Sequence, residues 1–338
     1  MLSVKKYIYH PELDFIRIIC IFSVILIHVT TKILAVSGND LVSNPFTLFL
    51  NQLSRFAVPV FFIISAFGLK LNYSHNFKYL PYLGARLSKL FLPYLFWTSI
   101  YYYFVYPQSS QSIFQALLLG NASYQLYFIP TLFLFYLIFP LISRYSKFIN
   151  RLVPLIVLFI IQFIFLFLDY YYRPLSFPHP LNVFLLNFIY FILGVLAFLH
   201  QEKILTFVKK YLKIIIPFSF ILAICITLEG ALRYFKTQNY LSFYSQWRPS
   251  VLLYSITIFS LLFYLGKETK INYKFIKIFS SYSFFVYFIH IIFIEIIWRF
   301  LPMTYLNYPL FSFVLVLIPS YLCAFLSSKI PGLSKLTG

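Results

Sequence analysis

The chain has 338 residues, of which 61% are hydrophobic and only 10% charged, against about 25% charged in soluble domains. Its 44 Phe and 30 Tyr supply more apolar surface than one soluble core can hold, which leaves lipid as the solvent that accommodates it. Lys and Arg outnumber Asp and Glu by 27 to 8, a net charge of +19. The cations sit in short clusters between apolar runs, which excludes a nucleic-acid surface and fits the positive-inside rule and contact with anionic headgroups.

A bilayer core takes about 20 mostly apolar residues per helix. Ten such runs follow in order, at 13–34, 47–69, 87–106, 124–143, 152–169, 183–200, 212–229, 249–266, 276–298 and 307–327. They predict an all-α integral membrane protein. The period-two alternation of a membrane barrel is absent. Lys5 and Lys6 before the first run resemble a signal peptide, with Ala35-Val36-Ser37 as its cleavage site. Arg17, His28 and Lys32 interrupt that run, however, so it reads as a retained first helix. Pro59, Pro93, Pro130 and Pro319 interrupt others, as membrane helices tolerate.

With the N-terminus cytoplasmic, nineteen cations fall in inside segments and six outside, with Arg17 and Arg55 within spans. Such a bias predicts that both termini are cytoplasmic. No linker or shift of composition is visible, so residues 1–338 are expected to form a single transmembrane domain with no soluble module appended. Cys20, Cys225 and Cys323 all lie in apolar runs without ligand spacing, so neither a disulfide nor a metal site is expected.

Ionisable side chains within a bilayer are costly and mark functional sites by default. In the first run Arg17 and His28 are separated by ten residues, which places them on one helical stripe about 16 Å apart. Taken singly, Arg17 is a snorkelling anchor and His28 an interhelical hydrogen bonder; the shared stripe weakens both accounts. Counting helix rise from the outer surface brings His28, Arg55 and His290 to a similar depth, which predicts a shared hydrated cavity. In the loop before the third run, Arg86 and Lys89 are i, i+3 neighbours and present two cations at the cytoplasmic mouth. That spacing suits a phosphate-rich ligand, and is equally what ordinary topology supplies.

Several segments together resemble the acyltransferase-3 family of membrane acyltransferases. They are Arg17-x10-His28, Val58-Pro59 through Ser65-Ala66-Phe67, Arg86-x-x-Lys89 with Pro93-Tyr94, Leu126-Tyr127-Phe128-Ile129-Pro130 with Tyr136 and Pro140, and Ser283 through His290. In order and spacing they cover nearly the whole chain. Three positions depart from the family pattern: Lys89 replaces the second Arg, Ala66 stands where Gly is common, and Gln125-Leu126-Tyr127 replaces a frequent His-Leu-Trp.

The resemblance implies a bacterial, multi-pass cell-membrane enzyme of the short form that O-acylates surface polysaccharides. Its donor would be acyl-CoA, acetyl or succinyl, reached from the cytoplasm, and its acceptor a glycan hydroxyl outside, beside polysaccharide synthesis machinery. Coenzyme phosphates would lie by Arg86, Lys89 and Arg17. His28 is the residue for a general base, since imidazole titrates near neutral pH; a covalent acyl-histidine is another route. Arg55 or His290 would stabilise the oxyanion, and Glu295 or Asp14 would orient a neighbour. A transporter or flippase for a lipid-linked glycan stays open, because broken helices and inward polar residues serve that role too.

Overall fold

The computed structural model describes residues 10–36, 44–73, 78–107, 111–172, 180–238, 241–268 and 273–332, and among them every regular element is helical. Lys5, Lys6, Arg173, Lys270 and Lys335, used in the topology count, lie outside the described residues, as does Ser37.

Eight helices or continuous helix pairs are long and apolar enough to cross a membrane. They are α1 (Pro11–Val36), α2 (Pro45–Leu53) continued by α3 (Ala57–Asn72), α6 (Phe128–Ile149) and α7 (Leu152–Tyr172), then α10 (Gln201–Thr237), α12 (Pro249–Glu268), α13 (Tyr273–Phe300) and α15 (Pro309–Ser328). A ninth is formed if α8 (Pro180–Leu186) and α9 (Phe188–Leu199), bent by 50° at Asn187, cross as one span. The tenth expected run, 87–106, is helical as α4 (Tyr79–Ile100) with a π-helical turn over Tyr101–Val105. It falls outside the apolar set because tyrosines, Trp97, Arg86 and Lys89 dilute it. Short helices α5 (Ile113–Leu119), α11 (Leu241–Tyr244) and α14 (Met303–Leu306) complete the chain.

The prolines act according to position. Pro59 and Pro130 fall in the first turns of α3 and α6, where a missing N–H costs nothing, so they mark starts rather than kinks. The consequence at Pro59 is the break at Ser54–Phe56: a proline there cannot donate back to the Arg55 carbonyl. Arg55 therefore sits in a turn instead of inside one continuous helix. Pro93 and Pro319 are true interior prolines.

α1 lies at the centre, packed against α2, α3, α12, α13 and α15. Elsewhere α3 and α9 also approach closely. A Cβ at Gly194 would meet the Ile63 carbonyl oxygen at 2.1 Å and the Ala66 Cβ at 2.7 Å, so glycine lets the two backbones touch. Ala66 is accommodated because the small residue is supplied by α9. At the periphery α7 and α10 bury only 11% and 22% of their apolar windows. Phe163, Ile164, Phe220 and Ile221 point outward there, a surface that lipid covers.

Candidate active site

One cavity of about 1360 Å³ threads the bundle, larger than the roughly 300–1,000 Å³ of a common small-molecule site. Its wall includes Arg17 and Arg86 at one end and His28 and Arg55 further along. At the far end it reaches Glu295 on α13 and Asp169 on α7. Arg17 and His28 share this wall because α1 presents one stripe to it.

At the first end the Arg17 guanidinium donates to the Asp14 carboxylate and to Ser280 Oγ at 2.6 Å, while Ser280 Oγ donates to Asp14 at 2.7 Å. Asp14 thus orients Arg17, and Arg17 keeps 41% side-chain exposure. Arg86 lies 4.9 Å above the Tyr73 ring, a cation–π seat. Its Nε is buried without a hydrogen-bond partner among the described residues. The structure separates the expected pair: Arg86 lines the cavity, whereas Lys89 is exposed and is absent from the wall.

At the level of His28 the arrangement is aromatic. The His28 ring lies 4.9 Å from that of Tyr124 and 5.3 Å from that of His290, centre to centre. No hydrogen bond from either His28 nitrogen occurs among the described residues. His290 is fully buried and outside the cavity wall, behind His28. Its Nδ1 faces the Val286 carbonyl at 3.0 Å, and its Nε2 has no hydrogen-bond partner among the described residues. A carbonyl only accepts, so Nδ1 carries the proton and Nε2 presents a lone pair. With Nδ1 committed to that carbonyl, Nε2 is the ring nitrogen left for another partner.

Arg55 has the polarity of an oxyanion donor. Although only 4% exposed, it reaches the cavity wall. Nε donates to Asn51 Oδ1 at 3.1 Å, Nη2 bonds the same oxygen, and Nη1 donates to the Tyr244 carbonyl at 2.7 Å. These bonds continue into a buried relay that the residue order did not reveal. Arg248, counted above among outside cations, is fully buried at the start of α12. It donates to Gln52 Oε1 and, at 2.8 Å, to the Ile226 carbonyl. Guanidinium only donates, so Gln52 must turn its oxygen to Arg248 and its Nε2 to Asn51 Oδ1, at 3.1 Å. Asn51 Nδ2 then donates to the Ile27 carbonyl and to Thr30 and Thr31, the residues that flank His28 on α1. Arg248 so fixes the direction of both amides and, through them, Arg55 and α1. The sequence signal was available in one respect: Asn51-Gln52 interrupt one apolar run and Arg248 borders another.

Charged groups line the far end. Lys32 bonds both Glu295 oxygens, at 3.0 and 2.9 Å, and the Tyr106 hydroxyl donates to Glu295 at 2.8 Å. The π-helical turn, closed by Tyr106 N–H to the Tyr101 carbonyl at 2.8 Å, delivers Tyr106 to that position. The segment between α5 and α6 forms the opposite wall. Gly120, at φ 66°, turns the chain back so closely that a Cβ would meet Tyr127 Cα at 2.6 Å; only glycine fits that left-handed turn. No group of three or more potential metal ligands occurs among the described residues.

The protein family described as "Acyltransferase domain" matches residues 10–329. Two relatives carry the name "Probable poly-beta-1,6-N-acetyl-D-glucosamine export protein", both from Staphylococcus epidermidis. Each is 26% identical over 308 residues, covering 84% of this chain and 81% of the relative. No solved structure matches.

Proposed function

The chain belongs to the acyltransferase-3 family of membrane acyltransferases, and from that premise we propose that it transfers an acetyl or succinyl group from cytoplasmic acyl-CoA to a glycan hydroxyl outside. The observation that carries this reading is a shared cavity with Arg17 and Arg86 at one end and His28 with Arg55 further along. The cation distribution puts the arginine end in the cytoplasm. Coenzyme phosphates bind Arg86 and Arg17, the pantetheine arm follows the cavity past α1, and the thioester stops near His28. The cavity exceeds a usual pocket by enough to hold an extended arm.

His28 takes the proton from the acceptor hydroxyl as its oxygen bonds the acyl carbon. The carbon–sulfur bond breaks, and the proton passes to the departing thiolate, which leaves as coenzyme A. Arg55, held rigid by Asn51 and Tyr244, stabilises negative charge on the carbonyl oxygen. His290 supports His28 rather than the oxyanion. Lys89 belongs to the surface charge of the same end and stands outside the donor site.

The relatives' shared name makes a poly-N-acetylglucosamine oligosaccharide the acceptor to try first. It also favours a second reading, glycan export through the same cavity. Proteoliposomes separate the two. Labelled acetyl- or succinyl-CoA supplied on the arginine side, with oligosaccharide on the other, yields labelled ester if the protein is a transferase. Passage of oligosaccharide without acyl-CoA, and with no ester formed, establishes export instead.

A further inference from the structure

Along α1 the order from the arginine end is Arg17, His28, Lys32. Lys32 is four residues past His28, one turn and about 6 Å further from Arg17 on the same face, and it lies on the cavity wall. The donor's thioester stops near His28, so this stretch of wall is left to the acceptor.

Tyr124, Lys32 and Glu295 line it together. The Tyr124 ring lies 4.9 Å from that of His28. It is no core filler, since Tyr124 is 45% exposed and on the wall. Its hydroxyl interacts with that of Tyr106, whose own proton goes to Glu295 at 2.8 Å, so the ring is held at its polar end as well as beside His28. Lys32 and Glu295 keep 32% and 30% side-chain exposure. The ammonium has three N–H groups and makes two bonds to Glu295 among the described residues. The carboxylate, with about four acceptor positions, takes those two and the Tyr106 bond. Each partner has capacity left, one as donor and one as acceptor.

A pyranose carries the matching pattern: a flat face of C–H bonds, which the negative face of an aromatic ring attracts, and an edge of hydroxyls that donate and accept. We propose that Tyr124, Lys32 and Glu295 form the acceptor subsite and take one pyranose unit of the glycan. The sugar's C–H face rests on Tyr124, its hydroxyls bond Lys32 and Glu295, and a further hydroxyl points at His28. This rests on the acyltransferase reading for the end from which each substrate arrives. The three residues bind and orient; the acceptor proton still goes to His28.

The test uses full-length protein in lipid nanodiscs and an N-acetylglucosamine oligosaccharide, without acyl-CoA, so that binding is read apart from transfer. Titration calorimetry should show wild-type binding that Tyr124→Leu weakens about tenfold, and that Tyr124→Phe, which keeps the ring, holds within about threefold. Lys32→Met with Glu295→Gln removes both charges together, so neither is left unpaired. It should weaken sugar binding about tenfold through lost hydrogen bonds to charged groups, and it decides the matter if Tyr124→Leu fails to insert. Affinity for coenzyme A should be unchanged in all three variants. Sugar affinity within about twofold of wild type in Tyr124→Leu or in the double variant overturns the subsite, as does wild-type protein that does not bind the sugar. Sugar binding that depends on these residues, in protein that forms no ester, upholds the subsite and defeats the acyltransferase reading instead.

Discussion

The imidazole rings of His28 and His290 lie 5.3 Å apart, centre to centre, although α1 and α13 stand near opposite ends of the chain. Nε2 of His290, without a hydrogen-bond partner among the described residues, is the nitrogen its ring can offer toward His28. If rotation of His28 about its Cβ–Cγ bond brings an N–H of its ring to that Nε2, the second His28 nitrogen is left as the base. His290→Phe keeps the shape and removes the acceptor. We expect a fall of about tenfold in turnover, worth about 1.4 kcal/mol, with coenzyme affinity unchanged. Normal turnover in that variant reduces His290 to packing.

Arg86 and Lys89 are distinguishable by the same cavity that brings Arg17 to His28. Arg86→Ala should weaken coenzyme A binding, since a hydrogen bond to a charged group is worth about 1.5–3 kcal/mol. Lys89→Ala should leave binding nearly untouched, because its ammonium is exposed and off the wall. Titration calorimetry on the two variants checks this. Equal losses would return Lys89 to the donor site.

The relay from Arg248 yields a prediction in which stability and activity part company. Arg248→Leu strips donors from Gln52 and the Ile226 carbonyl and should lower the melting temperature, as breaking buried charged networks does by about 3–5 kcal/mol. Gln52→Glu keeps an acceptor for Arg248 but ends the donation to Asn51. That variant should melt near wild type and lose turnover, because Asn51 no longer fixes Arg55. Full activity in Gln52→Glu would make the relay structural only.

How far this was legible beforehand follows from what each signal depends on. Helical spans depend on local composition, so nearly every run reappears as a helix, with α4 and the α8–α9 pair as the weaker cases. Arg17 and His28 share a helix, and a single rotation per residue placed them on one wall. Arg55 was visible as an intramembrane cation, but its turn required recognising that Pro59 starts a helix. Arg86 and Lys89 are close on α4, and only the packing against Tyr73 decides which one turns inward. Arg248 was illegible as a site residue because its role comes from a distant partner, Gln52. A position before a helix carries no trace of that contact.

Orientation rests on charge placement and is open to direct measurement. Tags at Lys6, Lys147 and Lys335 should be reached only from the cytoplasm, and a tag near Arg233 only from outside. The nineteen-to-six cation division motivates this. External labelling at Lys147 would invert the assignment of donor and acceptor ends.

The central claim is that His28 acts as the base in acyl transfer, and His28→Gln tests it most directly. Glutamine keeps a polar side chain of similar reach but does not accept a proton near neutral pH. Acyl transfer from labelled acyl-CoA to oligosaccharide should be measured alongside coenzyme affinity and melting temperature. The account predicts a loss of about 10²–10⁴ in rate with the other two quantities unchanged. Transfer at the wild-type rate by His28→Gln would contradict it.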